Sequence, residues 1–420
     1  MADHVTLHVG SPKSGTTYLQ TTLWNNKDRL SEAGVLLPGR RKREHDVLAF
    51  AVRGDRRARP TARRLLEEIR DWPGPVLVSS EWLCVPSDRQ LGRFLAQLGE
   101  VDVDVVFTAR RFAASVPAAW SQALKSGHAA ELEDFIRDMD YGDAQWSWRT
   151  IDPAVALQGW RRHLPAERIH VVTVPRPGAP REELWHRFAA ACRVPGAEAF
   201  PGDGVKSNES LTAEGARLLQ LLGPELRSAL QVDDVKQPFA RWWIRQYFSR
   251  DLVLPHPGHP IGLAGPELEL LRERSERTVT HLGDAGYDVV GELADLLDVT
   301  VDERAVRPRD VDDAALLGIT TTVIPQMLAR LATEHEAVKE QRARARRQRR
   351  QLRRAAAGTG PAPAGQRARE RARPERWTEP GGGRTPRWLR GTRRRLGPVK
   401  RRVLHGADAL GRRLGGRHPR

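Results

Sequence analysis

The residues best placed to do chemistry lie between the alternating stretch HVTLHVG and the helical YLQTTLWNNKDRL, in residues 10–17, GSPKSGTT. A strand, a glycine-containing loop and the start of a helix together present backbone N–H groups and a positive helix end to an anion, most often a phosphate. The usual triphosphate-binding loop, G-x-x-x-x-G-K-[ST], places its lysine directly after the second glycine and a magnesium-binding hydroxyl after that. Here Gly10 and Gly15 keep the glycine spacing, Thr16 stands in the lysine's place, and the lysine has moved inside the loop to Lys13. A lysine there can reach the atom bridging a 5′-phosphate and its substituent, and can neutralise charge on a leaving group without a metal. The bland alternative is a turn that only ends a strand.

Other candidates end later strands. PVLVSS runs into Glu81 and VDVDVVFTAR into Arg110. An acid at a strand's carboxyl end can take a proton from an attacking nucleophile, and an arginine fork suits a terminal phosphate. Arg111 competes with Arg110. His45, in RRKREHD, which reads as a charged loop, is the second candidate base because its reference pKa suits the role. Glu81 can equally be a cap or substrate-orienting residue. In VKSNESL, helix capping is the stronger reading for Asn208 or Ser210. Cys84 and Cys192 stand far apart without metal-ligand neighbours and read as buried free thiols, so no metal site is expected.

The elements that must position these residues alternate. RIHVVTV is a fourth apolar strand, and helical stretches such as TARRLLEEIRDW and QGWRRHL separate the strands. That order predicts right-handed crossovers and a parallel sheet. From about 211 to 297 helices are expected to dominate, followed by a helical stretch over MLARLATEHEAV.

Charge divides the chain. The net charge is +16 over 420 residues, yet residues 341–420 hold 26 Lys and Arg against 4 Asp and Glu, so residues 1–340 carry 43 against 49. The body is mildly acidic and the tail supplies the whole excess, which separates a globular part from an appendage. An Ala/Gly/Pro/Arg stretch over 355–386 reads as disordered. No contiguous apolar run approaches a membrane span and the first residues lack a signal-peptide pattern, so a cytoplasmic location is expected, with the inner membrane face as the alternative for a basic tail.

In GSPKSGTT, with the later strand ends, the chain resembles the sulfotransferases that use 3′-phosphoadenosine-5′-phosphosulfate, in particular the bacterial-type proteins with a PK-[ST]-GTT loop. The resemblance covers about residues 4–300. It is strongest at HVGSPKSGTTYLQTTL and VVFTARRFAASVPAAW and recurs at HLPAERIHVVTVPRPG and GYDVVGELADLL. It implies a P-loop three-layer α/β fold with a central, mostly parallel sheet flanked by helices over residues 1–300. A helical extension over 301–354, for which a coiled coil is one form, and a largely disordered basic tail over 355–420 follow.

By the same resemblance Lys13, Ser14, Gly15, Thr16 and Thr17 cradle the 5′-phosphosulfate, Arg110 holds the 3′-phosphate, and Glu81 matches a Ser-Glu or Ser-His-Glu segment. Only the resemblance implies a nucleotide role for Lys206, Asn208 and Ser210. The reaction implied is in-line transfer of a sulfuryl group to a hydroxyl or amine, leaving adenosine 3′,5′-bisphosphate. The family's serine eight positions after the arginine is absent, since Ala118 stands there, and Ser115 and Ser121 are the nearby hydroxyls. Two other classes stay open: a phosphate-loop kinase, against which the missing Lys-Ser/Thr pair argues, and a non-catalytic protein whose arginine tail binds anionic lipid, nucleic acid or an acidic polymer.

Overall fold

The structure is a computed structural model that describes residues 2–141, 146–200, 210–230, 242–300 and 302–357. Lys206, Asn208 and the tail from 358 onward lie outside the described residues. Two compact units are present, Met1–Leu328 and Ala329–Arg420.

Five strands form the sheet of the first unit: β1 His4–His8, β2 Val76–Ser79, β3 Asp102–Ala109, β4 Ile169–Thr173 and β5 Asp288–Val290. Their order is β2-β1-β3-β4-β5 and every pairing is parallel. This is an α/β fold. Alternation along the strands explains its layers, because successive side chains leave opposite faces. Val5, Leu7, Val103, Val105, Phe107, Ile169 and Val171 join one core cluster, whereas Leu77, Val106 and Val172 join another with Leu19, Leu23, Trp185 and Phe188. Helices therefore cover both faces.

A third cluster is helical. Phe112, Val116 and Trp120 meet Leu219, Phe248, Leu252 and Leu271, together with Ile319 and Val323. Ile319 and Val323 are 0% and 2% exposed, which carries the first unit beyond residue 300.

One local expectation is corrected. The charged segment around His45 is not a loop: Arg43–Val52 is helical, with Glu44 and Asp46 in its first turn, where acids favour a helix N-terminus. Among the described residues of 211–297 helices do dominate, and β5 adds a three-residue edge strand to them. Finally, Asp313–Ala357 is one helix. An eighteen-residue window of it reaches mean hydropathy 1.3 with 11% of the window buried, so by length and composition it passes for a membrane span although it holds no contiguous apolar run of that length. One such helix is weak support for a span, and Ile319 and Val323 within it are core residues of the first unit.

Candidate functional site

Chain order reverses direction at β1, which has β2 on one side and β3 on the other. In open parallel sheets the crevice at such a switch point, outside the strands' carboxyl ends, is where ligands bind. The register aligns those ends, pairing His8 with both Ser79 and Val106. The loop after β1, Glu81 after β2 and Arg110 after β3 therefore share one edge. Beyond the strands, Ser11 N–H still donates to Thr108 O at 3.2 Å.

The loop is built tightly. Gly10 and Gly15 have φ of +37° and +86°, and a Cβ at either would come within 2.6 Å of Thr16 Cγ2 or Leu184 Cδ2 respectively. Lys13 itself has φ 69°, an uncommon conformation for a residue with a side chain. Its carbonyl accepts from Arg110 Nη1 at 3.0 Å, and its Nζ donates to Gln122 Oε1 at 3.1 Å. Burial holds the ammonium below the ordinary lysine value. Glu81 opposes that effect, and Arg245 and Arg110 add to it.

Thr16 and Thr17 open the helix Thr16–Asn25, whose first N–H groups have no acceptor within the helix. Thr16 Oγ1 donates to Glu81 Oε2 at 2.5 Å. Glu81 lies in the short 3-10 turn Glu81–Cys84. Burial raises its carboxyl above the usual range. The Thr16 hydrogen bond and the charges of Lys13 and Lys42 pull it back, while Asp46 pushes it further up.

Ser14 is placed differently from the other loop residues. It is fully buried, its Oγ donates to Ser11 O at 2.6 Å, and it lies 2.5 Å from Thr108 Oγ1. Its hydroxyl ties the loop to β3, so its backbone is what it can offer an anion. Below, buried His8 sits 2.7 Å from Ser79 Oγ, its ring held neutral by burial, with a pKa lowered to about 3.

Arg110 and Arg111 diverge. Arg111 is committed to Asp298, 3.0 Å from Oδ2, and to Thr300 O at 3.0 Å, which leaves Arg110 as the one turned to the loop. His45 is not brought to the crevice as an open base. It is fully buried, Ser79 N–H donates to its Nδ1 at 3.1 Å, and its Nε2 donates to Pro38 O at 2.9 Å. Both nitrogens are occupied, and burial lowers its pKa to about 4.

Ser115 and Ser121 are buried at 0% and 3% exposure, with Oγ atoms that have no hydrogen-bond partner. Ala118 is only part-buried and lies one turn before Gln122 on the helix Phe112–Leu124.

Four participants escaped sequence reasoning. Gln122 and Arg245 come from helices whose orientation no strand-end rule predicts. Asp46 accepts from Ser80 Oγ at 2.7 Å, and Lys42 donates to Thr21 Oγ1 at 3.2 Å. A histidine's ordinary pKa suits a base, but Asp46 next to His45 and Lys42 three residues before it are the ones whose charges act on Glu81. Among the described residues no group of three or more His, Cys, Asp or Glu side chains is arranged to hold a metal.

The arrangement can hold an anion between loop N–H groups, Lys13 and Arg110, and can accept a proton at Glu81. No protein-family model matches the chain, and no curated protein or solved structure does either.

Proposed function

We propose that the chain transfers a sulfuryl group from 3′-phosphoadenosine-5′-phosphosulfate to a hydroxyl or amine. The observation that carries this reading is the place of Lys13: within the loop, at the crevice beside β3, close enough to Glu81 and Arg110 to feel both charges. A donor of this kind fits the residues present. Lys13 and the N–H groups of residues 15–17 would hold its 5′-phosphosulfate and Arg110 its 3′-phosphate, and it would supply an activated sulfur–oxygen bond.

Lys13 neutralises the negative charge left on the phosphate as that bond breaks. Glu81 takes the proton of the acceptor as the new bond to sulfur forms. His45, with both nitrogens engaged, supports the backbone of β2 and leaves the base role to Glu81. Carbohydrates, lipid-linked glycans and small metabolites are the alternative acceptors that offer a hydroxyl or amine.

Calorimetry tests the reading against a kinase on the same loop. Adenosine 3′,5′-bisphosphate is expected to bind equally with and without magnesium. Magnesium-dependent ATP binding, with no affinity for the bisphosphate, would sink the proposal. With labelled donor and an acceptor-rich extract, Lys13→Ala should abolish transfer, and Glu81→Gln should slow it by about a hundredfold or more while bisphosphate binding persists.

A further inference from the structure

The helix Asp313–Ala357 continues into the second unit, and every described side chain over residues 329–352 is exposed. Two features of this stretch demand a partner. Residues 341–354 contain eight arginines and no acid. Arg342, Arg346, Arg350 and Arg354 follow one another at four-residue spacing, where like charges destabilise an isolated helix. An opposing negative surface relieves that repulsion.

The second feature says which surface. Leu331, Val338 and Leu352 are 47%, 42% and 69% exposed, and with Ala345 they recur every seven residues. Leu317 and Ile324, exposed on the same helix, have the same spacing. A nucleic acid offers phosphates to the arginines but little for these aliphatic groups, whereas a bilayer interface accepts both. Arginine stems can lie along the apolar zone with their heads among lipid phosphates. A helix driven across the bilayer would have to withdraw Ile319 and Val323 from the core of the first unit, so the helix is placed on the surface.

We infer that residues 329–352 dock on an anionic bilayer surface, with arginine heads on lipid phosphates and the aliphatic line in the interface. The proposal stands apart from the sulfuryl-transfer reading and does not need it.

The test is sedimentation of the full chain with vesicles of phosphatidylcholine alone or mixed with phosphatidylglycerol. Binding to the mixed vesicles only, released by salt, is expected. Replacing Arg346, Arg347, Arg349 and Arg350 by Gln should weaken it by about a hundredfold or more. Leu331→Ala, Val338→Ala and Leu352→Ala combined should weaken it by about tenfold with the charge unchanged. Circular dichroism checks that both variants keep their helix. Failure to bind mixed vesicles overturns the proposal, as does wild-type binding by both variants, which would place the contact in residues beyond the helix. Unchanged vesicle binding by the aliphatic variant, with mixed-sequence duplex DNA bound as tightly, would identify a nucleic-acid surface instead.

Discussion

Gln122 takes a hydrogen bond from Lys13, and Ala118 stands one helical turn earlier on the same helix. Residues four apart share a helix face, so position 118 looks toward the loop, and an alanine there offers no hydrogen bond. Ser115 and Ser121 do not replace it, being sealed in the core. On the proposed reading, Ala118→Ser adds a donor on the helix face that Gln122 turns toward the loop. It should tighten binding of adenosine 3′,5′-bisphosphate by about tenfold, the worth of a hydrogen bond to a charged group, and leave adenosine 5′-monophosphate unaffected. Equal gains for both nucleotides in a titration, or none, would remove position 118 from the 3′-phosphate. Lys13, Glu81 and Arg110 were legible in the sequence because each follows an apolar strand, and parallel strands deliver their carboxyl ends to one edge. Gln122, Lys42 and Asp46 were not, because a helix's sequence alone does not tell which of its polar residues turns inward.

At the scale of elements, the opposite end of the sheet carries its own charge cluster. Asp104 of β3 is 1% exposed and lies 3.1 Å from both His4 Nε2 and Arg168 Nη1. It is also 3.4 Å from Nε2 of His170 in β4, whose Nδ1 is 2.7 Å from Asp288 of β5. Burial alone would raise the Asp104 carboxyl, but the neighbouring His170 and His4 rings and the hydrogen bond from Arg168 hold it well below the usual range. Burial alone would lower His170, but Asp104 and Asp288 together raise it. A raised histidine stabilises the fold fully below its unfolded value of about 6.5, and that contribution is lost as pH rises through the folded value. The depressed aspartate contributes above its unfolded value of about 3.9 and loses this as pH falls. The cluster therefore stabilises most between about pH 4 and 6.5. His170→Asn should lower the melting temperature more at pH 6 than at pH 9. A loss independent of pH would mean that only the shape of the ring matters. Strand β1 could be read from its alternation and β2 to β4 from short apolar runs, whereas β5 is three residues long and only part-buried, too little pattern to separate it from the helices around it.

For the whole molecule, charge separated a mildly acidic body from a basic appendage at about residue 340 and the resemblance ended near residue 300, whereas the first unit ends at Leu328. The apolar pattern of MLARLATEHEAV drew attention to a helix without showing that the residues before it belong to the core. Ile319 and Val323 close the cluster formed by Phe112, Val116 and Trp120, which are carried on or next to the helix that bears Gln122. Full burial of an isoleucine and a valine is worth about 3–6 kcal/mol together, a large part of the roughly 5–15 kcal/mol that holds a domain. A chain ended after Leu328 should keep cooperative unfolding and bisphosphate binding. One ended after residue 300 should melt about 5–15 °C lower, and its nucleotide affinity should fall with it, since Gln122 then stands on a helix whose outer side is uncovered. Calorimetric scans of the two truncations with and without bisphosphate decide the matter: equal melting temperatures would mean that the helix merely rests on a finished body, whereas a lower one for the shorter chain makes residues 301–328 part of the fold that holds the site.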